Sequence, residues 1–75
     1  MWSLLRRLVV HDAPAPSVRV YMAHGATVSG QLVGAYEDAL VLAGASVVAD
    51  GQTKDRPLTG AVRIARECID FFVVL

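Results

Sequence analysis

The chain has 75 residues, 55% of them apolar and 19% charged, and its seven basic residues are offset by seven acidic ones. A chain of this length makes one domain and buries only roughly 60% of its unfolded surface when it folds alone, so this much apolar surface points to self-association. A net charge of zero excludes a global field that recruits polyanions and leaves nucleic-acid contact to a local cluster.

Trp2, Leu5 and Val9 recur at i, i+3 and i+7, with Met1, Leu4 and Leu8 beside them and Ser3, Arg6 and Arg7 opposite. This spacing predicts a short amphipathic α-helix over residues 1–12. The arginines interrupt the apolar run and no small-residue cleavage site follows, so the segment reads as part of the mature fold and not as a signal peptide. Pro14 and Pro16 bias Ala13 and Ala15 toward extended geometry and make residues 11–17 a connector.

Val18, Val20 and Met22 alternate with Arg19, Tyr21 and Ala23, the period of two of a half-buried strand. His24-Gly25 follows as a turn. The next strand sets Val28, Gly30, Leu32 and Gly34 on one face, and two inward glycines suit a sharp bend. Residues 39–49 are apolar on both faces, as in a strand covered on both sides. Residues 50–57, Asp-Gly-Gln-Thr-Lys-Asp-Arg-Pro, form a polar loop in which Lys54 and Arg56 lie among aspartates as a solvated surface. The last two strands are predicted over residues 58–66 and 69–75, the second with Ile69, Phe71, Val73 and Leu75 on one face and Phe72 and Val74 on the other.

The predicted fold is therefore mostly β: a helix over residues 1–12, then a five-stranded, strongly bent antiparallel small barrel over residues 17–75, all in a single domain. The longest weakly polar stretch is about half of the roughly 20 residues of a membrane-spanning helix, which predicts a soluble chain. Cys68 is alone, so it forms no intrachain disulfide and has no zinc-ligand spacing around it. It reads as a small buried residue in a reducing, cytoplasmic compartment.

Several positions resemble the Sm-like (LSm) family, which includes bacterial Hfq and the archaeal and eukaryotic Sm rings. Gly25, Gly30, Leu32 and the run Leu40-Val41-Leu42 are similar to the first Sm motif, and Gly60, Val62, Ile64 and Ile69 to the glycine-and-aliphatic frame of the second. The chain departs from the pattern in Tyr36-Glu37-Asp38-Ala39, where Ala39 replaces the base-contacting asparagine. It departs again in Ile64-Ala65-Arg66, where the family has Ile-Arg-Gly and Hfq has a Lys-His pair.

The resemblance implies a homo-oligomeric ring of six or seven copies, joined by antiparallel pairing of the fourth strand of one with the fifth of the next. Arg63, Ile69, Phe71, Phe72 and Val74 then become candidate interface residues. It further implies single-stranded RNA as partner, bound by pore-proximal loops that carry Tyr36, Glu37, Asp38 and Arg66, with His24 as an outlying candidate. An aromatic ring to stack a base and a guanidinium to hold it suit that chemistry.

Each of these residues also has a structural reading. Tyr36 packs at a subunit interface, Arg66 pairs with Glu37 or Asp38, and His24 is an exposed turn residue, because adjacent carboxylates repel phosphate. On this second view the ring is a structural or interaction assembly, for example a viral or complex subunit, that has lost RNA binding. Neither histidine has a partner pattern for catalysis, Glu37 and Asp38 are adjacent and not paired across a cleft, and no phosphate-cradling glycine loop is present. The expectation is no enzyme, no cofactor, no metal site and no small-molecule substrate.

Overall fold

The computed structural model describes residues 15–75, and the predicted helix over residues 1–12 lies outside them. Among the described residues the chain forms six antiparallel strands: β1 Ser17–Met22, β2 Thr27–Ala35, β3 Ala39–Val48, β4 Arg56–Pro57, β5 Val62–Ala65 and β6 Ile69–Val74. The sheet order is β4-β3-β2-β1-β6, with β5 also paired to β3. No helix among these residues is long and apolar enough to cross a membrane.

Three features differ from the sequence-based expectation. There are six strands and not five, because the polar loop folds back beside β3 and pairs Arg56 with Val47 and Pro57 with Ser46. The fourth predicted strand shrinks to Val62–Ala65, since the backbone of Leu58 is held by Ala45 and Gly60 turns at φ +75°. The sheet is also not closed: β5 and β6 are not paired with each other.

A three-residue 3-10 turn, Arg66–Cys68, joins these two edge strands. The Arg66 N–H donates to the Asp38 carbonyl at one end (2.7 Å), and the Ala23 N–H donates to the Cys68 carbonyl at the other (2.8 Å). Cys68 is exposed there and not buried as expected, because the turn has no buried residue at all.

Two bulges bend the β2–β3 pair. Between Ser29 and Gln31 the register jumps from Ser46 to Ala43, leaving an extra residue on β3 where Gly44 takes a left-handed φ of +58°. Between Leu32 and Gly34 an extra residue on β2 restores the register. Gly30 lies opposite the first bulge, where a side-chain carbon would meet the Ala45 backbone at 3.0 Å. Of the two inward glycines read from the pattern, this one admits β3 most closely.

The core is the inner face of this bent sheet. Val18, Val20, Val28, Leu32, Leu40, Leu42, Ala45 and Ile64 are buried, and Met22, Val47, Leu58, Val62, Ile69 and Phe72 pack around them. Among the described residues no charged or polar side chain is buried.

Strand β6 corrects the predicted face assignment. Tyr21 pairs with Phe71, whereas Met22 pairs with Ile69, so Asp70 is an extra residue at a bulge. The slip puts Ile69 on the same side as Phe72, and both pack on the core. Phe71 instead joins the outer face, where its ring stacks on Tyr21 with centroids 4.4 Å apart. Phe71, Val73, Val74 and Leu75 remain exposed.

Candidate functional site

Tyr36-Glu37-Asp38 forms the turn between β2 and β3, and the Tyr36 N–H closes it by donating to the Ala39 carbonyl at 2.8 Å. With Ala39 and Leu40 both buried immediately after, the three turn residues are pushed outward and all are exposed. The ring of Tyr36 folds back over Gly34, where a side-chain carbon would lie 3.1 Å from it.

Strand β5 supplies the basic residues. Its register on β3, Ala39 to Ala65 and Val41 to Arg63, delivers Arg63 to the side of the turn. There the Arg63 Nη2 donates to both carboxylate oxygens of Asp38 at 3.3 Å, and its guanidinium carbon lies 5.6 Å from the Tyr36 ring centroid. One residue past β5, Arg66 Nη1 donates to the main-chain carbonyl of Glu37 at 3.4 Å. Both members of the ion pair are well exposed, so water screens it and its worth is about 0–1 kcal/mol.

The fold thus gathers Tyr36, Glu37, Asp38 and Arg66 at one end of the 3-10 turn. His24 sits in the exposed turn at its other end, next to Ala23, which the Cys68 carbonyl binds. Of the interface candidates, Phe71 and Val74 lie exposed on β6 and Ile69 and Phe72 lean on the core, while Arg63 belongs to the turn cluster.

The sequence reading set Arg66 beside the acidic turn, where it meets the Glu37 main chain, but did not assign Arg63 to Asp38. The carboxylate of Asp38 takes Arg63, and Arg66 takes a carbonyl. The signal that could have found Arg63 is its place two residues before Ala65, which the pairing of β3 and β5 sets beside Ala39. The arrangement offers an exposed ring, two guanidiniums and two carboxylates, a surface suited to recognition.

A second surface lies on the outer face of β1, β2 and β3. An open groove of about 450 Å³ is lined by Arg19, Tyr21, Thr27, Ser29, Ser46, Val48 and Asp55. Arg19 has no ion-pair partner among the described residues. No protein-family model matches the chain, and no curated protein matches it.

Proposed function

We propose that this chain is an Sm-like subunit that assembles edge to edge into a homo-oligomeric ring and binds single-stranded RNA at the rim carrying Arg66 and the β2–β3 turn. The observation that carries the reading is the unequal state of the sheet edges. Strand β4 is two residues long and ends in a proline. Since the Leu58 N–H faces Ala45, the position of Pro57 without an N–H faces the open side, a blunted edge. Among the described residues no strand pairs the outer edges of β5 and β6, and β6 exposes Phe71, Val73 and Val74. Two open edges on one chain pair head to tail and close a ring when the rotation allows it.

Ring closure repeats the Arg66 rim once per copy, so individually weak contacts to an RNA strand add through avidity. Light scattering on the purified protein tests the assembly: the family's ring predicts six or seven times the 8.0 kDa of one chain, and a one-chain mass at micromolar concentration sinks it. Fluorescence anisotropy with short U-rich and A-rich RNAs at two salt concentrations tests the ligand. Salt-sensitive binding that Arg66→Ala weakens supports RNA.

A second reading, an assembly ring without RNA, is favoured by one contact. The Asp38 carboxylate already holds Arg63 and places negative charge where a phosphate would lie. Absence of RNA binding by an intact ring selects it.

A further inference from the structure

Residues 49–55 carry the chain from β3 to β4 and begin with a tight turn. The Gln52 N–H donates to the Ala49 carbonyl at 3.0 Å, which places Asp50 and Gly51 at the two corners. Gly51 turns at φ +77°, the left-handed third position of a type II turn that favours glycine. Both corners are exposed, and a side-chain carbon at Gly51 would meet nothing within 4 Å. Among the described residues the Gly51 N–H has no hydrogen-bond partner. The carboxyl group of Asp50 rests against Gly25, and no ion pair among the described residues engages it.

We infer that the Asp50-Gly51 corner is a self-modification site, at which aspartate converts to isoaspartate through a cyclic imide and thereby releases β4 from β3. The Gly51 nitrogen attacks Cγ of Asp50 and a C–N bond forms. The hydroxyl of the protonated carboxyl leaves with the amide proton as water. Water then adds to one of the two imide carbonyls. Opening at the Cγ carbonyl restores aspartate. Opening at the former main-chain carbonyl routes the chain through Cβ and frees that carbonyl as a carboxyl group. The water lost in the first step is regained in the second, no oxidant or cofactor enters, and the mass of the chain is unchanged.

Glycine after aspartate admits the first step, because a Cβ on the attacking residue crowds its nitrogen. Asp12, Asp38, Asp55 and Asp70 precede Ala13, Ala39, Arg56 and Phe71, and the chain has no asparagine to close the same ring by losing ammonia. The chemistry therefore concentrates at one exposed loop corner, the kind of position where covalent change is best tolerated.

Its consequence falls on β4. That strand is two exposed residues, paired as Arg56 with Val47 and Pro57 with Ser46, and its register depends on the backbone length of the loop before it. An isoaspartyl link adds one carbon to that length and withdraws the carboxyl group from Gly25. The buried core residues all lie on other strands, so the rest of the sheet keeps its pairing. The Leu58 N–H, which donates to the Ala45 carbonyl at 2.8 Å, reports the release.

The test is ageing of the full chain in neutral buffer, with a parallel sample in urea to show the chemistry running on the unfolded chain. Isoaspartate is counted by enzymatic methylation of its carboxyl group and located by electron-transfer fragmentation of the peptide that contains Asp50. The folded protein should accumulate isoaspartate at Asp50 and at no other aspartate. Asp50→Glu, whose imide ring would need a sixth member, should accumulate none. Isoaspartate in the urea sample alone, in neither sample, or to the same extent at other aspartates overturns the site, as does an undiminished signal in Asp50→Glu.

Converted chains, isolated by hydrophobic-interaction chromatography, are then compared with unconverted ones by amide hydrogen exchange. Exchange at Leu58 should rise by about tenfold or more. Exchange at Leu32, whose N–H donates to the Pro16 carbonyl on the far side of the sheet from β4, should not change. Equal exchange at Leu58 in the two forms overturns the release of β4.

Discussion

The carboxylate of Asp50 lies against the backbone of Gly25. A side-chain carbon at Gly25 would sit 2.5 Å from the Asp50 carboxyl carbon and 2.8 Å from each oxygen. Gly25 also turns at φ +105°, where L side chains rarely go. Gly25→Ala should cost about 1–3 kcal/mol from the backbone alone, with the clash adding to it, measured by urea unfolding. Adding Asp50→Ala should return only the steric share, and complete rescue would show that the backbone conformation carries no cost.

Leu40 is fully buried where β3 packs on β5, while Val33, on the outer side of the β2 bulge, is 44% exposed. Leu40→Ala should destabilise the chain by about 2–5 kcal/mol, a large share of a small domain's stability. Val33→Ala should stay within about 0.5 kcal/mol. Denaturant midpoints compare the two, and similar losses would contradict this placement of the core.

The bulge at Asp70 makes neighbouring phenylalanines opposite in consequence. Phe72→Lys drives a charge among Val20, Met22 and the rest of the core and should abolish cooperative unfolding. Phe71→Lys removes the stack on Tyr21 and should cost about 0.5–1.5 kcal/mol beyond its area term, with the fold retained. Circular dichroism and thermal melts of the pair decide it, and the reverse order of severity would restore a regular strand from Ile69.

Asp38 and Arg63 meet at the surface, so a double-mutant cycle with Asp38→Asn and Arg63→Gln should give a coupling below about 1 kcal/mol in stability. The same Asp38→Asn change removes a carboxylate beside two guanidiniums. It should tighten RNA binding by the ring, read by anisotropy at low salt. Unchanged affinity would place the RNA elsewhere or nowhere.

Much of the strand architecture was legible in the sequence because it depends on local rules. The alternation Val18-Val20-Met22, the inward Gly30 and Leu32, the turn at His24-Gly25 and the apolar run from Ala39 follow from period-two sterics and turn chemistry, and each lies where expected. The chemical character of the rim, an aromatic beside carboxylates and arginines, could be read in the same way.

Tertiary structure decided what depends on register. The bulge at Asp70 reversed the faces of Ile69 and Phe71, because one extra residue inverts every side chain beyond it. The return of the polar loop made a sixth strand, and the β3–β5 register gave Asp38 to Arg63 in place of Arg66. These pairings join residues from 9 to 50 positions apart, and no local preference encodes them. A composition this apolar in a short chain raises the expectation of self-association from the sequence alone. Which strands stand at the edges of the described sheet, and which side chains they present, emerged only once the strands were paired.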